Sequence, residues 1–261
     1  MYAYTTYHSD NNAWYRQMAA SWARRMIKGG VPGAWALNTD SEVQFALWQL
    51  RLTPGERVLD LGCGWGRHSM AFASYGLNVT GLDLSHELLT LAKYNARRRN
   101  LDVNWVEADV EHMPLRGPFD AITQFCDNLL TWFADGERTR DVLWNVASLL
   151  RPGGRFLLGS ADWQTELPSR SQEYDEWDGG AAVYRQRYDQ QSRMVDTQTV
   201  VFGPAHERLE YRRQTWWPSP YDMESLFAQV GLRVRSRSHT FNGDPFDPAA
   251  CGLVYVLERE V

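Results

Sequence analysis

The chain has 261 residues, 44% of them hydrophobic and 13% aromatic, and 27 Lys and Arg against 32 Asp and Glu leave a formal charge of −5. That is enough apolar material for a sizeable core, and the acidic balance speaks against a protein that lives on polyphosphate backbones, so nucleic acid is not expected as a partner. Cys63, Cys126 and Cys251 form no CxxC pair, which excludes a disulfide framework and a cysteine-built zinc site. Neither a leader-like N-terminus nor an apolar stretch of spanning length is read, so the expectation is a soluble, cytoplasmic protein with no metal and no membrane partner.

Trp14, Met18, Trp22 and Met26 recur at spacing four, the stripe of an amphipathic helix over residues 10–27. Thr39 with Glu42 reads as a capping box for a second helix, which the TPG of residues 53–55 ends. From Arg57 to Gly159 strand-like and helix-like segments alternate. RVLDL (57–61) is a strand and HSMAFASYG (68–76) a helix ending on glycine. NVTGLDL (78–84) is a second strand, and Ser85 is placed to cap a helix running to about Arg99. VNWVEAD (103–109) and FDAITQF (119–125) follow as strands, then a helix over 135–150, a break at RPGG (151–154) and a fifth strand, RFLLGS (155–160). The Arg97-Arg98-Arg99 run reads as a solvated helix face.

After the fifth strand the period changes to two. AAVYRQRYD (181–189), RMVDTQTVVFG (193–203) and RLEYRRQTWW (208–217) predict an antiparallel insert. YDMESLFAQVG (221–231) is a helix, and LRVRSRS (232–238) and GLVYVLERE (252–260) are closing strands. Repeated βα units imply a parallel sheet covered by helices on both faces, with ligands beyond the carboxyl ends of its strands.

The loop after the first strand, VLDLGCGWGRHS (58–69), raises the functional question. The dinucleotide fingerprint G-x-G-x-x-G would need glycine at position 67, where Arg67 stands; Gly62, Gly64 and Gly66 instead alternate. Asp60 precedes them, and a carboxylate at the mouth of a loop repels a pyrophosphate but attracts a cation. S-adenosylmethionine carries an ammonium group and a sulfonium and no phosphate. Asp83, at the end of the second strand, is placed to accept from both ribose hydroxyls, and Asp109, at the end of the third, from the amine of an adenine.

VLDLGCGWGRHS, VTGLDLS, VEADVEHMPL, FDAITQF and LLRPGGRFLL together resemble the ordered motifs of the class I S-adenosylmethionine-dependent methyltransferases, over about residues 57–160. The resemblance implies an α/β fold: a Rossmann-like, doubly wound, seven-stranded, mostly parallel sheet, with an antiparallel insert after the fifth strand and an N-terminal helical cap. It implies one methyltransferase domain over 1–261, divided into a cap (1–52), a cofactor-binding core (53–160), an insert over the active site (161–219) and a closing helix and strands (220–261). Carried over, Asp60, Gly62, Cys63 and Gly64 would meet the methionine end of S-adenosylmethionine. Asp83 and Leu84 would hold the ribose, Asp109 and Val110 would frame the adenine, and Phe125 would lie against the cofactor. Gly66 would serve close helix packing.

The implied chemistry is an in-line methyl transfer to O, N or C of a small organic acceptor, with S-adenosylhomocysteine as product. No residue declares itself the base. Asp127, His239 and Tyr211 are the catalytic candidates, with Asn128 and His112 as further substrate contacts; His68 and Cys126 read as packing residues. Trp14, Tyr15 and Trp22, the insert with Trp163, Tyr211, Trp216 and Trp217, and the loop FNGDPFD (241–247) are the segments able to wall an acceptor pocket. A monomer or homodimer is expected. The competing readings are an RNA or protein acceptor, a nicotinamide oxidoreductase, which Asp60 and Arg67 oppose, and a non-catalytic protein that keeps the fold and the cofactor.

Overall fold

A computed structural model describes residues 15, 16, 19, 20, 23, 38–125, 132–160, 167–177, 180–202 and 208–261. Seven strands form the central sheet: β1 (Arg57–Leu61), β2 (Asn78–Asp83), β3 (Asn104–Glu107), β4 (Phe119–Phe125), β5 (Leu150–Ser160), β10 (Leu232–Ser238) and β11 (Leu253–Arg259). Their order is β10-β11-β5-β4-β1-β2-β3. β1 pairs in parallel with β2 and β4, β2 with β3 and β4 with β5, while β11 runs antiparallel to β5 and β10. The chain direction across the sheet reverses between β1 and β4, the crevice where doubly wound sheets bind ligands.

Both faces of the inner strands of this sheet are buried, as their near-continuous apolar runs require, whereas the edge strands β3 and β10 are half-exposed. On one face Leu59, Leu61, Ile122 and Phe156 pack with Val142, Leu143 and Val146 of α4 (Gly136–Leu149) and Met223 and Phe227 of α5 (Pro220–Gln229). On the other, Val58, Ala121, Leu157 and Val256 pack with Val43 and Ala46 of α1 (Thr39–Leu50) and Phe72 of α2 (Arg67–Ser74). α3 (His86–Arg98) starts where the cap was expected, its Ser85 hydroxyl accepting from the Leu88 amide.

The insert is a four-stranded antiparallel sheet in the order β6-β7-β8-β9: β6 (Arg170–Trp177), β7 (Gly180–Asp189), β8 (Met194–Phe202) and β9 (Arg208–Trp216). Three of these strands follow the expected alternation; β6 is an addition, a charged edge strand paired with β7 along its whole length. The insert is fastened to the core by the Trp216 amide, which donates to the Phe133 carbonyl at 2.7 Å.

Two expectations need correction. RPGG does not end an element before the fifth strand but lies inside β5. Phe119 pairs with Leu150 and Ala121 already with Arg155, so residues 151–154 bulge out of the register without ending the strand. Nor do Thr39 and Glu42 form a capping box. Asn38 occupies the N-cap with no side-chain bond. The Thr39 hydroxyl accepts from the Arg67 guanidinium at 2.7 Å, and Glu42 turns inward to the same group. A buried cation outcompetes a solvated backbone amide for those oxygens.

Candidate active site

The glycine-rich loop lies on the carboxyl edge of β1, at the β1/β4 crevice. Gly62, Gly64 and Gly66 all have positive φ, of 64°, 56° and 78°. A side chain at 62 would enter open space, whereas a Cβ at Gly66 would land in the Trp105 ring and 3.1 Å from Cβ of Ala92. The first glycines therefore leave room above the loop, and Gly66 lets the start of α2 press against β3 and α3. The thiol of Cys63 is buried beneath, and burial pushes its pKa well above the ordinary thiol value, so it is a packing group.

The two acids flanking this loop are both 1% exposed, yet they are held differently. Asp60 accepts from the Ser69 hydroxyl at 2.5 Å and the Thr123 hydroxyl at 3.3 Å. Burial pushes its carboxyl up to about 6, with the two hydroxyls working the other way. Asp83 accepts from the backbone amides of Gly64 and Ser85, each at 2.8 Å. Its carboxylate thereby ties the loop to the end of β2. The Tyr15 hydroxyl donates to both of its oxygens at 3.2 Å. Asp109 lies just past β3 and caps the 3-10 turn at Val110–His112, accepting from the Glu111 amide at 3.0 Å. Val110 packs on the core from that turn, and the Leu84 carbonyl accepts from Arg16 at 2.9 Å.

Phe125 ends β4 on the α2 face. His68 stacks on it, ring centroids 3.8 Å apart and planes 17° apart. One oxygen of Glu42 accepts from His68 Nε2 at 2.7 Å and from Arg67 at 2.6 Å, all three groups buried. Burial lowers His68 to about 4, only partly opposed by Glu42, so the ring is neutral at physiological pH with its proton on Nε2. Burial works to raise the Glu42 carboxyl, but the His68 and Arg67 partners outweigh it and hold it below its ordinary value. Arg67, which displaced the dinucleotide reading by standing where a glycine would be needed, is thus half of a buried ion pair.

From above, Tyr15 packs edge-on to Trp132, centroids 5.5 Å apart, and joins Ala182, Val201, Tyr184, Leu209 and Tyr211 of the insert. Ala19 and Ala23 rest on Leu88 beside Trp65. Tyr15 therefore bridges the inner face of the insert and the carboxyl end of β2. Trp216 lies against Gly136 at the start of α4, and Trp217 also packs on the core, so these two fasten the insert down. In the loop after β10, Phe241 turns back onto Phe125, centroids 5.4 Å apart, and onto Phe45.

Of the catalytic candidates, Tyr211 is buried on the inner face of the insert, and desolvation raises its hydroxyl pKa, so it is neutral at physiological pH. His239 is occupied by its own loop: Nδ1 lies 2.7 Å from the Pro245 carbonyl, to which it donates. His112 is exposed on the 3-10 turn. Asp127, Asn128, Cys126, Trp14, Trp22 and Trp163 lie outside the described residues. The Glu42–Arg67–His68 cluster was not foreseen; its one sequence sign was Arg67 itself, an arginine directly after a glycine-rich loop. Among the described residues no group of His, Cys, Asp and Glu is arranged to hold a metal ion, and no helix is long and apolar enough to cross a membrane.

Residues 58–154, from β1 to the bulge in β5, match the family model described as a methyltransferase domain. Over this stretch, rather more than a third of its length, the chain resembles a methyltransferase domain. The ubiquinone biosynthesis O-methyltransferase of Coxiella burnetii is 37% identical to it over 107 residues, 41% of this chain and 44% of the relative, so the chain spans less than half of that protein's length. The cypemycin N-terminal methyltransferase of a Streptomyces species is 26% identical over 212 residues, 79% of this chain and 84% of the relative. The structure of the CcbJ methyltransferase from Streptomyces caelestis superposes with a TM-score of 0.75 at 18% identity, covering 97% of this chain and all of that one, a likeness of fold. The names of these relatives describe an O-methyltransferase and an N-terminal methyltransferase.

Proposed function

We propose that the protein transfers a methyl group from S-adenosylmethionine to a small organic acceptor. The observation that carries this reading is the Asp83 carboxylate, locked by the Gly64 and Ser85 amides at the end of β2 beside a loop of three positive-φ glycines. Its two oxygens are suited to a vicinal diol, and the loop leaves its upper side open at Gly62. S-adenosylmethionine fits this donor and acceptor set: the loop would take the methionine end, Asp83 with Leu84 the ribose, and Asp109 with Val110 the adenine. Phe125, held by the His68 stack, would wall the cofactor from β4.

When bound, the cofactor supplies a methyl group on a positively charged sulfur, an electrophile that needs little activation. The chain's contribution is approach geometry and exclusion of water. Asp60, buried under the loop, places negative potential below the methionine end; it is not aimed out of the loop, since Ser69 and Thr123 take its oxygens. Tyr211 and Tyr184 of the insert, with Tyr15 and with Trp132 from the stretch before α4, form one aromatic cluster, a wall suited to an organic molecule of modest size. The names of the relatives, an O-methyltransferase and an N-terminal methyltransferase, leave more than one kind of acceptor in play. Incubation with S-adenosylmethionine and a panel of small phenols, amines and amino sugars tests the reading. S-adenosylhomocysteine should form with at least one of them and not without an acceptor; formation only with RNA or protein would contradict it.

A further inference from the structure

The Tyr15 hydroxyl sits 3.2 Å from each oxygen of Asp83, equidistant, while the Gly64 and Ser85 amides donate to one oxygen each at 2.8 Å. That is the position from which a vicinal diol is accepted, one hydroxyl to each oxygen. Asp83 is 1% exposed, and a diol that takes both oxygens must replace the Tyr15 hydroxyl on them.

We propose that Tyr15 competes with the ribose for Asp83: its hydroxyl holds the carboxylate until a diol replaces it. This rests on the reading of Asp83 as the ribose seat. The exchange is chemically even-handed, since a hydroxyl donor to a carboxylate is traded for hydroxyl donors, which keeps the buried charge satisfied throughout. Its consequence reaches beyond the cofactor. The Tyr15 ring also packs on Trp132 and on Ala182, Val201 and Tyr211 of the insert, and the neighbouring Arg16 holds the Leu84 carbonyl. Seating the ribose therefore releases the contact of Tyr15 with the acceptor-side wall. The acceptor pocket is remodelled by the cofactor, which orders binding with cofactor first.

Calorimetric titration of S-adenosylhomocysteine into wild type, Tyr15→Phe, Asp83→Ala and the double variant tests this. Tyr15→Phe keeps the ring and removes only the competing donor, so it should bind about three- to tenfold tighter than wild type. Asp83→Ala should bind at least about tenfold more weakly, and adding Tyr15→Phe to it should change nothing, because the competition needs the carboxylate. Unchanged or weaker binding by Tyr15→Phe, with Asp83→Ala still impaired, overturns the competition and leaves the ribose seat standing. Undiminished binding by Asp83→Ala overturns the ribose seat itself.

Discussion

The central sheet buries both of its faces, and the insert buries one. In the first, β1, β2, β4 and β5 are packed between helices, and its candidate groups stand at strand ends where backbone geometry places them: Asp60 and Asp83 at the mouths of β1 and β2, Phe125 at the end of β4. In the second, β6 and the outer faces of β7 and β9 are solvated, and what the sheet offers to a ligand is a set of inward side chains such as Tyr184 and Tyr211. A site made of backbone turns and buried carboxylates tolerates little change, because each group is held by several others. A wall made of alternate side chains on a half-exposed sheet can be rewritten residue by residue.

If the contrast is physical, substitutions should cost most at the buried edge and least on the outer insert. The largest loss is expected for Glu42→Ala, which strands the Arg67 guanidinium without its buried carboxylate; about 3–5 kcal/mol of stability should go, read by chemical denaturation. Gly66→Ala comes next. It forces a side chain into left-handed backbone and against Trp105, for a loss of about 2–4 kcal/mol.

Asp60→Asn should act in the opposite direction and with a pH signature. The Asp60 carboxyl is raised to about 6 in the folded protein from an ordinary 3.8. Between those values the folded state keeps a proton that the unfolded state has released, so wild-type stability falls as pH rises through that window and is level above it. The amide escapes this loss, so the variant should gain on wild type from pH 4 to 6, by about 2–3 kcal/mol at the plateau. His68 runs the other way, its stability lost as pH falls from 6.5 towards 4, but it is common to both proteins and cancels in the difference. A difference that does not change with pH would show that Asp60 is not a buried charge. The smallest effect belongs to the insert: Tyr174 on β6 is 75% exposed, and Tyr174→Ser should shift stability by no more than about 0.5 kcal/mol.

The same contrast separates what local sequence pattern reveals from what it hides. The alternation of five apolar strands with amphipathic helices is a local signal, and so is a glycine loop that demands positive φ, which is why the seven-stranded sheet and the positions of Asp60, Asp83 and Phe125 in it were legible. Where a residue's partner is distant in sequence, local grammar misled. Thr39 and Glu42 have capping-box spacing, yet Arg67, some 25 residues further on, takes both. β6 has Glu173, Asp175 and Glu176 within eight residues and no apolar alternation, so only its pairing with β7 marks it as a strand. The Tyr15–Asp83 contact joins residues 68 apart and has no periodic trace at all.

The central claim is that Asp83 receives the ribose of S-adenosylmethionine, and a ligand-side measurement tests it without disturbing the loop that Asp83 also holds. Calorimetric titration of wild-type protein with S-adenosylhomocysteine and with its 2′-deoxy analogue compares a hydroxyl with none at the same seat. The account predicts at least about tenfold weaker binding of the deoxy compound, since a buried carboxylate loses one charge-assisted hydrogen bond from the ligand. Equal affinities would contradict it.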